Sequence, residues 1–284
     1  MNELYLNISK QRKEFKNSLG QANHFLVTAL IGLDYIDKNE VSCPEEFSTS
    51  WNPKNKKNSI IRSRHYILKS SLAWTIDCLD TYLSKCNQHP KLINDNQIIK
   101  EFEKAGRSVN EKFTSLTEHI RLSEKYVSDF NIHKAMSGLA IQWRNNTMHF
   151  NAHNEIAKEH KTILFNSRER IKELFCGLDI NATINNFSQH KEPTFKETTS
   201  LIRGVQKVVE IIDLYLLSKV DIYRYADDII NIFFEQNNHS PFRILLPERR
   251  KDKIINILKN NSFSDTGIYE TSPKIEIDKI IHRY

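Results

Sequence analysis

The sequence predicts an all-α protein, and three observations support this. Only 7 of the 284 residues are glycine and 7 are proline, which is few for a β-protein with many turns. Apolar residues recur at spacings of three and four over long stretches, which is the period of an amphipathic helix. Hydrophobic residues make up 39% and charged residues 27%, the usual balance of a globular protein. No run approaches the ~18 apolar residues of a membrane span.

Two long helices are predicted in the first third of the chain, over 3–38 and 58–86. Pro44, Pro53 and the polar residues around them make 39–57 a linker. The first helix carries an apolar stripe of Phe15, Leu19, Ala22, Phe25, Leu26, Ala29, Leu30 and Leu33. The second carries Ile61, Tyr66, Ile67, Ser70, Ser71, Trp74, Cys78, Leu79 and Tyr82. We expect these faces to pack in a bundle, because small residues within a stripe allow close helix approach.

The middle of the chain predicts four further helices, over 97–104, 110–127, 132–145 and 153–178. The helix at 132–145 is expected to turn inward Ile132, Ala135, Met136, Leu139, Ala140 and Trp143. It is predicted to end near residue 145, because the Asn-Asn-Thr sequence that follows consists of weak helix formers.

Beyond a second linker at 179–195, the same periodicity predicts helices over 196–218 and 221–236. The tail is predicted to contain a strand in the apolar run at 242–246, a basic amphipathic helix at 248–260 and a strand near 274–281. The predicted division is a helical bundle at 1–178 with its core at 58–178, helices at 196–238 that complete or extend it, and a small module at 240–284.

The charge and the cysteine content indicate which binding partners and which cellular compartment to expect. The formal net charge is +6 and the pI about 9.0, which favours a polyanionic partner such as nucleic acid, although a mildly basic soluble protein has the same balance. The four cysteines form no CxxC pair, so a zinc ribbon is not expected. With no signal sequence at the N-terminus, we expect a cytoplasmic protein with reduced thiols and no membrane partner.

The most informative stretch is the nine-residue segment 142–150, Gln-Trp-Arg-Asn-Asn-Thr-Met-His-Phe. Arg144 carries a permanent charge on a planar fork that suits a phosphate. His149 is of the one residue type whose ordinary pKa allows proton transfer near neutral pH. Asn145 adds a hydrogen-bonding amide between them. These three residues are the predicted catalytic set for phosphodiester chemistry that needs no metal and no cofactor.

This order of residues resembles the R-x4-6-H signature of the HEPN superfamily, with Asn145 after the arginine and four residues between Arg144 and His149. The resemblance covers about residues 58–178 and implies a small helical bundle that acts as a metal-independent endoribonuclease. It implies RNA as the substrate and a homodimer in which two motifs line one cleft. It further implies a toxin or antiviral-defence effector, with an antitoxin or defence-system protein as a partner.

The resemblance also implies an acidic residue on the helix that faces the motif. Asp80 or Asp77 is the expected counterpart, and the sequence does not choose between them. His153 is a candidate second contact to the substrate phosphate.

Helical geometry sets a condition on this site. In an unbroken helix, Arg144 and His149 would lie roughly 140° apart around the axis. The two side chains therefore share a site only if the helix breaks between them or if two copies meet across a dimer.

Other interpretations of the same residues stay open. Arg144 can simply complement the dipole at a helix C-terminus, with His149 on the surface. His149 and His153, four residues apart, could bind zinc together with His160 and Glu155, although no HExxH is present.

Two alternative functions stay open with them. The protein could be a non-catalytic helical module that binds RNA or a nucleotide, or that serves as a scaffold in a defence complex. It could also be a nuclease that is silent until a partner or ligand rearranges its dimer.

Overall fold

The structure is a computed structural model, and it describes residues 3–48, 53–122, 124–148, 152–236 and 246–283. The helices, in chain order, are α1 Lys10–Lys38, α2 Lys56–Cys86, α3 Asn96–Ala105, α4 Val109–His119, α5 Glu124–Met148, α6 Lys158–Asn166, α7 Arg168–Leu174, α8 Ile180–Ser188, α9 Phe195–Leu217, α10 Ile222–Gln236, α11 Pro247–Asn260 and α12 Ile277–Ile281. The strands are β1 Glu3–Leu6, β2 Phe263–Ser264 and β3 Lys274–Glu276. The predicted all-α class with a strand-containing tail is confirmed.

The chain divides into two compact units, each assembled from segments that are distant in sequence. The sheet unit comprises Met1–Lys16, Leu79–Ser123 and Val209–Tyr284. The helical unit comprises Asn17–Cys78 and Glu124–Val208. The division at 178, 196 and 240 stays a prediction. No helix among the described residues is long and apolar enough to cross a membrane.

The sheet unit contains a three-stranded antiparallel sheet in the order β2-β1-β3. Leu4 and Leu6 of the central strand β1 are buried, and Leu4 lies opposite the buried Ile275 of β3. The prediction that 3–6 begins the first helix is therefore wrong. The alternation of Glu3, Leu4, Tyr5 and Leu6 suits a strand, but the strands that pair with it lie more than 250 residues away in sequence.

The sheet unit also encloses a buried polar cluster around Asp213 of α9, which we call the Asp213 cluster. Ser9, the residue before α1, donates to Asp213 through its hydroxyl and through its backbone N–H at 3.1 Å. Tyr82 Oη donates to Asp213 Oδ1 at 3.3 Å. Arg12 Nη1 lies 4.0 Å from Asp213 Oδ2, and Arg12 Nη2 donates to Glu210 at 2.8 Å. The Asp213 side chain, which accepts these bonds next to the N-terminus of α1, is thus fully buried.

In the helical unit, α5 is the central element. Its predicted inward residues are all buried, namely Ile132, Ala135, Met136, Leu139, Ala140 and Trp143. Two glycines allow neighbouring elements to approach α5 closely. A Cβ on Gly138 would lie 2.3 Å from His160 Nδ1, and a Cβ on Gly204 would lie 2.9 Å from Met136 Cβ. These glycines are required by close packing against α6 and α9.

Several predicted boundaries are wrong. The predicted helices at 110–127 and 132–145 are α4, which ends at His119, and α5, which begins at Glu124. The predicted helix at 153–178 is two short helices, and the predicted linker at 179–195 contains α8. The start of α8 is marked by its cap, because Asp179 accepts hydrogen bonds from the N–H groups of Asn181 and Ala182.

In the tail, the predicted basic helix is α11, which begins one residue earlier than predicted. The predicted strand near 274–281 ends at Glu276, and α12 follows. The predicted strand at 242–246 lies, except for residue 246, outside the described residues.

The apolar stripes predicted for α1 and α2 are only partly buried. Leu19, Leu26 and Leu30 are buried, but Phe25 is 67% exposed. On α2, the residues of the predicted stripe that are largely exposed are Ile61, Tyr66 and Trp74. Cys78, Leu79 and Tyr82 of the predicted stripe are buried. The buried face of α2 within the helical unit also includes Ile60, Leu68, Leu72 and Ile76, which were not predicted. Both helices therefore carry more apolar surface than the described residues cover.

Candidate functional site

Arg144 lies in the last two turns of α5, which continues through Met148. The prediction that the helix ends near residue 145 is wrong. Trp143 is buried, and its indole Nε1 donates to the carbonyl oxygen of Lys191 at 3.2 Å, which anchors the end of α5. Thr147 Oγ1 donates to the carbonyl oxygens of Trp143 and Arg144 at 3.0 and 3.1 Å. The Trp143–Lys191 bond is a tertiary contact and the Thr147 bonds are local to α5, and the helix continues despite the weak helix propensity of this stretch.

Two partners orient the Arg144 guanidinium. Nη2 donates to Asp77 Oδ1 on α2 at 3.0 Å, and Nη1 donates to Asn145 Oδ1 at 3.1 Å. The Arg144 side chain is 19% exposed, whereas that of Asp77 is 65% exposed. The guanidinium is thus partly exposed and is paired with a solvated carboxylate, and a pair open to solvent on one side contributes only ~1 kcal/mol or less to stability.

The structure distinguishes the two carboxylates that the sequence left open. Asp77 pairs with Arg144. Asp80, three residues later, accepts from Lys112 Nζ at 2.9 Å within the sheet unit, and Lys112 also donates to Ser84 at 3.0 Å. Lys112 is buried, so Asp80 neutralises a charge that would otherwise be costly to bury.

His149, the predicted acid or base, lies outside the described residues. The described residues on either side of it are tied together by two asparagines. Asn146 Oδ1 accepts from Asn154 N at 2.7 Å and from Asn154 Nδ2 at 3.0 Å, and Asn146 Nδ2 donates to the Asn154 carbonyl oxygen at 2.9 Å. We call this set of bonds the asparagine clasp.

The predicted phosphate contact His153 lies in a different place from Arg144. It lines a recess of about 480 Å³ together with Asn146, Lys158, Lys161 and His190. Arg144 and Asn146 are two residues apart on α5, which places their side-chain directions about 160° apart around the helix axis. The described structure therefore joins Arg144 with Asp77 and Asn145, and it places His153 in the recess on the other side of α5.

Sequence analysis did not identify Lys158, Lys161 or His190. Lys158 and Lys161 are one turn apart on α6, but a pair of lysines on a polar helix is common and predicts no site. His190 is distant from His153 in sequence, and their rings meet edge to face with centroids 5.3 Å apart. Only the folded arrangement reveals this cluster.

The zinc interpretation gains no support from the described part of the chain. His160 is packed against Gly138, and burial lowers the pKa of its imidazole. Within 3–48, 53–122, 124–148, 152–236 and 246–283, no group of three or more His, Cys, Asp or Glu side chains is placed to hold a metal ion.

An apolar groove of about 460 Å³ runs between α1 and α2. Phe25 of α1 and Tyr66 and Trp74 of α2 line it, and all three are largely exposed. Trp74 lies three residues before Asp77, so the two side chains are neighbours on the surface of α2. Asp77, which holds Arg144, therefore lies about one helical turn beyond the groove residue Trp74.

Comparisons of the chain with family models, with curated proteins and with solved structures give no match, so its function has to be argued from its own residues.

Proposed function

We propose that the protein is a metal-independent endoribonuclease of the HEPN kind, with Arg144 and His149 as its catalytic residues and RNA as its substrate. The observation that carries the proposal is the geometry of Arg144. Its fork is oriented by Asp77 and Asn145 at the end of α5, yet it stays at the surface beside a solvated carboxylate. A guanidinium held in this way is prepared to receive a phosphate.

In the proposed reaction, the ribose 2′-oxygen attacks the adjacent phosphorus as a base removes its proton. The P–O5′ bond breaks, and O5′ receives a proton as it leaves. The products are a 2′,3′-cyclic phosphate and a 5′-hydroxyl end. DNA is spared because it lacks the 2′-hydroxyl.

Each residue has one role in this scheme. Arg144 binds the scissile phosphate and stabilises the charge that develops on it, as in other sites with preorganised donors. Asn145 orients the Arg144 fork through its side-chain oxygen and can turn its amide toward the phosphate. His149 moves the proton as general acid or base. Asp77 acts as a positioning residue for Arg144.

The proposal includes a homodimer formed through the groove between α1 and α2. The exposed aromatic side chains of this groove form an apolar surface that isolated soluble proteins seldom leave uncovered. A second copy seated there would bring its own motif toward the first, since Asp77 lies one turn of α2 beyond the groove residue Trp74. Sedimentation velocity at micromolar concentration should give a dimer for the wild type and a monomer for Trp74→Glu. A monomeric wild type would remove the dimer from the proposal.

The biological role we propose, that of a toxin or antiviral-defence effector restrained by an antitoxin or defence-system protein, follows from the resemblance of the motif. It is tested by expression in cells. Growth inhibition by the wild type that is lost in His149→Ala supports it, whereas equal inhibition by both would contradict it.

The direct test is cleavage of labelled RNA in EDTA. Arg144→Ala and His149→Ala should each lower the rate by about 10²–10³-fold, the usual loss for a group that stabilises transition-state charge or transfers a proton. Arg170→Ala is the matched arginine control, because Arg170 also pairs with an aspartate, Asp129, at the surface of the helical unit. His282→Ala is the matched histidine control.

A non-catalytic RNA-binding module is the second candidate function, favoured by the fact that Asp77 already occupies part of the Arg144 fork. It predicts that wild-type protein retains labelled RNA without cutting it. Binding without cleavage in the wild type, weakened by Arg144→Ala and unchanged by His149→Ala, would select this candidate over the nuclease.

A further inference from the structure

The recess beside the asparagine clasp has the composition of an anion site. Lys158, Lys161, His153 and His190 line it, together with a single carboxylate, that of Glu155. The two lysines are cationic at neutral pH, and each imidazole can donate at least one hydrogen bond. A recess of about 480 Å³ falls within the size range of sites that take small ligands.

The backbone around His190 holds this residue in a conformation that favours glycine over histidine. His190 follows α8 with a φ of 53°, in the left-handed region where glycine is favoured. Its N–H donates to the Phe187 carbonyl oxygen at 3.0 Å, and the N–H of Lys191 donates to the Asn186 carbonyl oxygen at 2.9 Å. This is the Schellman arrangement that ends many helices, usually with glycine in the place of His190.

A histidine in that position destabilises the turn by about 1 kcal/mol relative to residues that adopt positive φ readily. Its ring is exposed to solvent and meets His153 at the recess. Burial of the ring therefore does not account for a histidine here, whereas a contact with a ligand in the recess would.

The backbone next to His153 is also held in place. His153 directly precedes Asn154, and the asparagine clasp ties that residue to α5. Trp143 of α5 is bonded to Lys191, the residue after His190. Both histidines are thus positioned from the same end of α5, which gives a site with little need to rearrange when a ligand binds.

We propose that this recess is a binding site for the phosphate group of a nucleotide, with Lys158, Lys161, His153 and His190 as its ligand-binding residues. A phosphate offers the multiple acceptor oxygens and the negative charge that match these donors. The phosphate can belong to a free mononucleotide or to an RNA strand. The site lies on the other side of α5 from Arg144, and it stands whether or not the protein cleaves RNA.

Calorimetric titration of the full chain tests the proposal, with 5′-AMP, adenosine and a short single-stranded RNA as probes. We expect 5′-AMP or the RNA to bind and adenosine not to bind. Binding of 5′-AMP identifies a free nucleotide as a sufficient source of the phosphate, and binding of the RNA alone identifies the strand as the source. The double variant Lys158→Ala/Lys161→Ala should weaken binding at least tenfold, whereas Lys172→Ala on α7 is the matched control and should leave it unchanged.

His190→Gly separates this proposal from a structural role. Glycine suits the left-handed position, so the melting temperature should stay the same or rise, while affinity for the phosphate probe falls about five- to tenfold. Equal binding of adenosine and 5′-AMP, no binding of any probe at millimolar concentration, or unchanged affinity in a stably folded His190→Gly would each overturn the proposal. Retained binding in Arg144→Ala separates this site from the proposed nuclease site.

Discussion

The Asp213 cluster and the Arg144–Asp77 pair are both built around an aspartate and an arginine, and they are held in opposite ways. Asp213 is completely buried and receives hydrogen bonds from Ser9 and Tyr82. Asp77 is largely exposed, and it accepts one described hydrogen bond, from Arg144.

The difference between the two sites lies in whether a ligand can reach their charged groups. Burial raises the pKa of Asp213, against the opposing effect of the bonds from Ser9 and the charge of Arg12. A group enclosed in this way is committed to the fold, because no ligand can reach it without unfolding the sheet unit. Arg144 is oriented without being enclosed, so a substrate can compete for it. Stability and function should therefore separate cleanly between the two sites.

The largest expected effect on stability is at Asp213. Asp213→Ala removes the acceptor shared by Ser9 and Tyr82 and should lower the free energy of unfolding by about 3–5 kcal/mol, as for other broken buried pairs. Chemical denaturation monitored by circular dichroism measures this.

Asp213→Asn is the control. It keeps an acceptor for Ser9 and Tyr82, so its free energy of unfolding should fall by less than that of Asp213→Ala. The raised pKa means that the folded carboxyl holds its proton to higher pH than the unfolded chain does. The wild type should therefore lose stability relative to Asp213→Asn as pH rises above about 4. A loss under about 1 kcal/mol in Asp213→Ala would refute the structural role.

The second effect is a pH dependence from His133 in the helical unit. Burial is the main cause that lowers the pKa of His133 to about 4, and its ring packs edge to face on Phe175. The unfolded chain takes up a proton near pH 6.5, whereas folded His133 does so only near pH 4. Stability contributed by the neutral imidazole is therefore present above pH 6.5 and is lost as pH falls toward 4, by up to about 3 kcal/mol.

Unfolding curves at a series of pH values between 4 and 7 measure this loss. In His133→Phe, which keeps an aromatic ring and removes the titration, the slope in this window should become shallower. An identical slope in both proteins would show that the dependence has another source.

A smaller effect is expected at Gly138, where α5 meets His160. Gly138→Ala gains about 1 kcal/mol of helix propensity but forces a Cβ against the imidazole, so we expect a net loss of about 1–2 kcal/mol. Gly32→Ala on α1 is the matched control, because a Cβ there meets no atom within 4 Å and should stabilise the protein. Thermal melts of both variants give the comparison, and a stabilised Gly138→Ala would mean that His160 is free to move aside.

The smallest effect on stability distinguishes Asp77 from Asp80. Asp77→Ala removes an exposed pair and should change the free energy of unfolding by no more than about 0.5 kcal/mol, yet it should slow RNA cleavage about tenfold because the Arg144 fork loses its orientation. Asp80→Ala leaves Lys112 buried with Ser84 as its described partner, so it should lower the free energy of unfolding by about 1–2 kcal/mol. It should leave the rate of RNA cleavage unchanged. The reverse pattern would exchange the roles assigned to the two residues.

Sequence periodicity predicts the helices whose buried face follows from the spacing of their own apolar residues. The inward face of α5 follows from its helical period, and all six predicted residues are buried. The end of α5 could not be predicted in this way, because the bond that anchors Trp143 comes from Lys191, which is 48 residues away in sequence. Strand β1 was missed because its partners are distant in sequence.

At the candidate site, too, the sequence predicts some residues and only the fold shows the others. The motif identified Arg144, Asn145 and a facing aspartate, but only the fold distinguishes Asp77 from Asp80. The recess could not be predicted because His190 is distant in sequence from His153, Lys158 and Lys161, and a lysine pair one turn apart does not by itself indicate a site. The apolar stripe of α2 indicated a packed face, whereas the structure exposes Tyr66 and Trp74, because a period shows that a helix has an apolar side and does not show what covers it.

The most direct test of the account is the rate of RNA cleavage in EDTA by wild type, Arg144→Ala and Arg170→Ala, each checked for an unchanged melting temperature. The account predicts that the wild type and Arg170→Ala cleave at similar rates and leave 2′,3′-cyclic phosphate ends, and that Arg144→Ala is slower by about 10²–10³-fold. Cleavage by a folded Arg144→Ala at the wild-type rate, or no cleavage by the wild type on any RNA, would contradict it.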